Sequence, residues 1–192
     1  MKKFKMILSM FVLSVAASAC ASDEEAKDKQ LNEEAAPVSA KTPYNVKIIN
    51  SKGSTIGSAI LSEGSKGVNI QLMAEGLEPG KKAIHIHETG KCTAPDFKSA
   101  GEHFNPLGKE HGFNNPKGFH AGDLPNIEIS AQGKVEVELN ATEVTLQPGQ
   151  KNSLLDADGS AIVIHEGPDD YKTNPAGNAG DRIACGEIVK AQ

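Results

Sequence analysis

The sequence is poor in aromatic residues: it has no tryptophan, two tyrosines and six phenylalanines. It also lacks a basic surplus. The formal net charge is -5, and the first twenty residues carry Lys2, Lys3 and Lys5 but no acid, so the chain from Cys20 onward stands at -5 - 3 = -8. That balance excludes a nucleic-acid partner, which needs a basic face. A small anionic substrate would need a local positive focus against this background. No apolar run reaches the ~20 residues that span a bilayer, which argues against a membrane-crossing helix. No segment after residue 43 carries a convincing helical period. Nineteen glycines and ten prolines supply turns instead and favour an all-β architecture. A hydrophobic content of 38% with 23% charge describes a soluble globular protein, and 192 residues allow one ordinary domain with flanking segments.

Residues 1–20, MKKFKMILSMFVLSVAASAC, read as a signal peptide: a basic start, an apolar stretch over 6–15, then small residues leading to Cys20. A cysteine in that position resembles the lipobox of bacterial lipoproteins and marks Cys20 for lipidation. Ala17 stands where leucine is commonest, so conventional cleavage stays open as a second route. Residues 21–43 are rich in Glu, Asp, Lys and Ala, cannot bury enough apolar surface to fold, and read as a flexible linker. The domain is expected over 44–192.

Within it, eight short segments have strand character: YNVKIIN, STIGSAIL, VNIQLM, AIHIHE, NIEIS, KVEVELN, SAIVIHE and RIACGEIV. The expectation is an eight-stranded Greek-key β-barrel or sandwich. The stretch GLEPGKK reads as a turn. Two long insertions, over about 89–124 and 167–181, interrupt the rhythm, and loops of that length are uncommon unless functional.

Five of the six histidines, His85, His87, His103, His111 and His120, fall between residues 85 and 120, with Asp123 just beyond; the sixth, His165, ends an apolar strand. Imidazole and carboxylate are ligands for divalent transition metals, imidazole suiting copper and zinc. Seven such groups are too many for one tetrahedral zinc. They suit two neighbouring metals, particularly if one imidazole serves both. His85 and His87 are two apart on a strand, so their rings leave the same face while Ile84 and Ile86 enter the core.

The segments AIHIHETGKC, GEHFNP, HGFNNPKGFHAGDLPN, AIVIHEGPDDY and GNAGDRIACGEIV occur in an order that resembles the copper/zinc superoxide dismutase family, in its bacterial, lipoprotein-type form. The resemblance covers nearly all of 44–192 and implies an enzyme that dismutates superoxide to dioxygen and hydrogen peroxide. It implies copper at His85, His87, His103 and His165, and zinc at His103, His111, His120 and Asp123, with His103 bridging both. It implies that Asp169 links His85 and His111, that Cys92 and Cys185 form a disulfide, and that Arg182 holds the superoxide anion beside copper; against the net negative charge, Lys172 in the second loop is a candidate helper in focusing positive potential there. An even cysteine pair in an exported domain reads the same way. The protein would act outside the cytoplasmic membrane, at the cell surface or in a periplasm, tethered to the membrane through lipid at Cys20. Assembly as a homodimer is left open. A lipoprotein of this fold that stores or delivers metal without turning over superoxide is the competing reading.

Overall fold

A computed structural model describes residues 43–190. The expected signal peptide, Cys20 and most of the linker lie outside the described residues.

The described chain is built from strands and one short 3-10 turn, Lys98–Ala100, with no α-helix among the described residues. In order the strands are β1 (Tyr44–Asn50), β2 (Thr55–Glu63), β3 (Val68–Glu75), β4 (Gly80–Lys82), β5 (Ile84–His87), β6 (Ile127–Ile129), β7 (Lys134–Ala141), β8 (Ser160–His165) and β9 (Arg182–Ile188). All eight strands expected from sequence are present. The ninth, β4, lies in the stretch read as a turn. The turn proper ends at Pro79, and Gly80–Lys82 then pairs antiparallel with β6. Only Ala83 separates β4 from β5, so the two are one bent segment that serves two sheets in succession.

Seven strands form an antiparallel sheet in the order β5-β8-β9-β1-β2-β3-β7, and β4-β6 form a second, two-stranded sheet. The segment β4–β5 leads from one edge of the large sheet into the small one, and the turn after β6 leads back to β7 at the other edge. The crossovers that place β9 beside β1, β3 beside β7 and β5 beside β8 are those of a Greek key.

The two halves of the large sheet differ. In β3 every second residue is buried: Val68, Ile70, Leu72 and Ala74 point inward, while Asn69, Gln71, Met73 and Glu75 face solvent. A fully buried Val, Leu or Ile side chain contributes roughly 1.5–3 kcal/mol, so this alternation fixes the register of β3 against both neighbours. In β5 and β8 every residue is buried. One face of these strands, with Ile84, Ile86, Ile162 and Ile164, joins the main core. Their other face is covered by the first long loop. Ala161 and Val163 pack there in a second cluster with Phe97, Ala100 and the Cys92–Cys185 pair.

Candidate metal centre

The site is assembled on the free edge of β5. One edge of that strand is taken by β8. The other is taken by the long loop through isolated antiparallel bridges, His85 with Asp123 and His87 with His103. Three backbone hydrogen bonds close this seam: Ile86 N–H to Gly122 O (2.8 Å), Phe104 N–H to Ile86 O (2.8 Å) and Gly122 N–H to Phe104 O (2.9 Å). Gly122 is required there because a Cβ would strike the Ile86 carbonyl. Backbone pairing thus delivers His103 and Asp123 to the face from which His85 and His87 project.

Two groups of donors result. His85, His87, His103 and His165 form the first, and His103, His111, His120 and Asp123 the second; within each, the candidate ligand atoms lie within 4.8 Å of one another. His103 belongs to both. All seven residues are buried.

In the first group, His85 Nδ1, His87 Nε2, His103 Nε2 and His165 Nε2 are buried without a hydrogen-bond partner. Buried polar atoms are rarely left so, and four in one place fit a shared cation that they would bind together. The other nitrogen of each ring is tethered. His85 Nε2 meets Asp169 Oδ2 at 2.9 Å, His87 Nδ1 the Gly101 carbonyl at 2.9 Å, His103 Nδ1 Asp123 Oδ1 at 2.8 Å, and His165 Nδ1 the Gly180 carbonyl at 3.2 Å. On His85, His87 and His165 the acceptor keeps the ring proton on its side and leaves the inward lone pair free, which is how outer partners orient metal-binding histidines; the partner of His103 is Asp123, itself a donor of the second group. Burial lowers the pKa of His85, that of His87 well below the ordinary value, and those of His103 and His165 to about 4. These imidazoles are neutral at pH 7, as ligands must be. Four imidazoles without a carboxylate suit copper.

The second group converges on one oxygen. Asp123 Oδ1 lies 2.8 Å from His103 Nδ1, 3.1 Å from His111 Nδ1 and 3.3 Å from His120 Nδ1, and His120 Nδ1 is 3.4 Å from His103 Nδ1. Four tetrahedral donors bonded to zinc at ~2.0–2.1 Å stand about 3.3–3.4 Å apart, so these atoms already approximate the edges of a zinc tetrahedron. Asp123 Oδ2 is held by the backbone N–H groups of Gly112 (2.9 Å) and His120 (3.0 Å). Burial opposes charge on Asp123, but hydrogen bonds from the three histidines outweigh it and hold its pKa far below the carboxylate range. Burial likewise opposes charge on His111, yet the hydrogen bonds of Asp123 and Asp169 raise it to about 9.

Asp169 stands behind both groups, with Oδ2 on His85 Nε2 and Oδ1 on His111 Nε2, each at 2.9 Å. Gly177, at φ +65°, lies against this carboxylate, and a Cβ there would strike Asp169 Oδ1 and crowd His111 Nε2.

Arg182 opens β9 directly opposite His165. Its guanidinium is half-buried and donates to the carbonyls of Phe97 (2.9 Å) and Gly101 (2.7 Å). The Gly101 carbonyl therefore orients both Arg182 and His87. Phe97 is fully buried in the left-handed region at φ 53°, an uncommon conformation for a side chain of this size. The Cys92–Cys185 disulfide is formed, with Cα atoms 5.7 Å apart, and pins this loop to β9. Arg182 lines an open cleft of about 800 Å³ together with Lys98, Asp96, Glu102, Glu166 and Asp181.

The structure thus brings together every candidate ligand, Asp169 and both cysteines. Lys172 is not among the residues lining the Arg182 cleft; the lysine there is Lys98, brought in by the disulfide-pinned loop. Sequence reasoning missed the Gly101 and Gly180 carbonyl tethers and the contacts of Asn126 and Gly177. For Asn126 the available signal was its place in AGDLPN, three residues after Asp123.

A family model described as copper/zinc superoxide dismutase (SODC) matches residues 55–188. Cu-Zn superoxide dismutase 1 of Aquifex aeolicus is 56% identical over 142 residues, covering 73% of this chain and 84% of that protein. The superoxide dismutase-like protein YojM of Bacillus subtilis is 51% identical over 148 residues, 76% of each chain. The crystal structure of a SOD-like protein from Bacillus subtilis superposes with a TM-score of 0.74 at 50% identity, covering 76% of this chain and 97% of that one.

Proposed function

Since the chain belongs to the copper/zinc superoxide dismutase family and is on that ground an enzyme that uses copper and zinc, we propose that its first histidine group holds the copper, its second group the zinc, and that His103 bridges them. The observation that carries this reading is the set of four inward, unpartnered ring nitrogens on His85, His87, His103 and His165. The overall reaction converts two superoxide anions and two protons to one dioxygen and one hydrogen peroxide. Copper held by His85, His87, His103 and His165 would supply the one-electron redox chemistry that this reaction needs. Zinc held by His103, His111, His120 and Asp123 would keep one oxidation state and would favour charge on the shared imidazole.

The chain's own residues do the rest. Arg182, with two of its N–H donors spent on Phe97 and Gly101, has others free to orient a small anion at the mouth of the first group. His103 Nε2 can hold a proton beside that anion. The tethers on the remaining histidines keep the pocket rigid through turnover.

The same reading extends to location and assembly. The basic leader and Cys20 support export and lipid anchoring outside the cytoplasmic membrane, residues 21–43 acting as the tether. A disulfide accords with an oxidising compartment. Homodimer formation belongs to the proposal only as an outcome of sizing the purified protein.

One experiment tests the whole. Cells expressing the full chain and its Cys20→Ser variant are fractionated, and each fraction is loaded with copper and zinc, assayed for superoxide dismutation and analysed for metal. Activity with one copper and one zinc per chain, in membranes for the wild type and released for the variant, is expected. Two bound metals without activity would favour the metal-storing reading. Unchanged membrane association of Cys20→Ser would sink the anchor.

A further inference from the structure

We propose that Asn126 is a positioning residue that sets Asp169 and, through it, couples the two metal groups. This rests on the reading of those groups as the metal sites. Asp169 can serve His85 and His111 at once only if its backbone is held so that one oxygen faces each ring.

Asn126 provides that hold. Its side chain forms a reciprocal pair with the Asp169 backbone: the Asp169 N–H donates to Asn126 Oδ1 at 2.8 Å, and Asn126 Nδ2 donates to the Asp169 carbonyl at 2.9 Å. A carboxamide carries a donor and an acceptor side by side in one plane, which matches the N–H and C=O of a single residue. The clamp continues through Tyr171, whose hydroxyl accepts from the Asn126 N–H at 2.7 Å and whose own N–H donates to Asp169 Oδ1 at 2.6 Å.

Gly177 rests on the Asp169 carboxylate and His111 from another side. The carboxylate is therefore confined between a clamp and a wall. Were it to shift, two ring N–H groups on fully buried histidines would lose their acceptor. The short segment 123–126 thus carries a ligand of the second group at one end and, at the other, the residue that orients the acceptor of His85 in the first.

The test follows zinc release to a chromogenic chelator from full-length protein loaded with both metals. The proteins compared are the wild type, Asn126→Ala, Asn126→Asp, Asp169→Ala and the double variant Asn126→Ala with Asp169→Ala. Loss of an outer partner typically costs 10–100-fold in metal affinity, and Asn126 stands one bond further out, so release about 10-fold faster is expected for both Asn126 variants. Release from Asp169→Ala should be faster still. Because Asn126 acts through Asp169, the double variant should match Asp169→Ala within about twofold. Wild-type release from Asn126→Ala, or a full extra tenfold in the double variant, would overturn the proposal. If Asn126→Ala does not fold, Asn126→Asp carries the test, since it keeps the shape and the acceptor and loses the donor. A wild type that retains no zinc would overturn the metal reading itself, and this proposal with it. A wild type that retains zinc while the variants release at its rate would overturn the clamp alone.

Discussion

The two donor groups share His103 and lie side by side, yet they are prepared for a cation in opposite ways. The first turns four bare, neutral nitrogens toward a common point and anchors His85, His87 and His165 from behind on a carbonyl or carboxylate. The second keeps its carboxylate among the rings, so that Asp123 Oδ1 already contacts three imidazoles. The first is a preformed set of neutral donors. The second is a hydrogen-bonded ion cluster that a metal must enter by displacing protons. Burial without a carboxylate at the centre produces neutral ligands; the same burial around a carboxylate produces a charged one.

The largest expected effect comes from removing the residue common to both. His103→Ala deletes one donor from each group and, on the proposed mechanism, the proton site beside the anion. Its turnover should fall by about 10²–10⁴-fold, the range usual for loss of a positioned acid–base group. Zinc content should fall while copper is partly retained on the other three histidines. A dismutation rate like the wild type's, measured with metal content, would mean that the two groups work independently.

Arg182→Ala sharpens the comparison because it touches only the first group's mouth. Both metals should stay bound, while kcat/KM drops and its decline with added salt flattens. Steering is worth roughly 10–10³-fold in on-rate, a range for which superoxide dismutases are themselves a standard illustration and which is borrowed here. The effect should sit toward the lower end, since Asp96, Glu102, Glu166 and Asp181 also line the cleft. Pulse-radiolysis rates against ionic strength provide the check; an unchanged slope would remove Arg182 as the anion's anchor.

The smallest effect is a difference in protons. At pH 7 His111 in the metal-free protein is charged, with a pKa of about 9, and zinc must expel that proton; a bridging His103 must also give up the one ring proton it keeps when neutral, whereas neutral His165 binds through a nitrogen that carries none. Calorimetric titration in two buffers of different ionisation enthalpy should find more protons released when zinc enters the second group than when copper enters the first. The linkage also has a sign. Histidines lowered in the folded state favour unfolding as pH falls, so metal-free protein should lose stability between about pH 6.5 and 4. The His111 contribution runs the other way, present below the ordinary histidine value and lost as pH rises through about 9. Denaturant melts of metal-free protein across this range would expose either sign as wrong.

Much of this was legible in the chain because the informative residues are chemically distinctive. His85 and His87 declare a shared face by spacing alone, and Val68 to Glu75 declares a strand by alternation. The cysteine pair needed only an export signal to be read as a bond. What stayed hidden was backbone. Every residue has a carbonyl, so nothing in the letters marks Gly101 as the acceptor for both His87 and Arg182, or Gly180 as the tether of His165. Strand β4 hid because Gly80-Lys81-Lys82 has no alternation to display. Lys98 lines the Arg182 cleft and Lys172 does not, because folding of the loop, rather than distance along the chain, decides which lysine arrives there.

The pairing of β5 with β8 sets Ile84 against Ile164 and His85 against Val163. With a side-chain period of two, a slip of one residue would turn Ile84 and Ile86 outward into the ligand cage and press His85 and His87 into the oily interior. No partial credit is available in that exchange: the chain would lose its core and its metals in the same step. Bound metal is therefore a proofreader of the fold, since an ion held at His85 and His87 certifies that the strand beneath them closed in register.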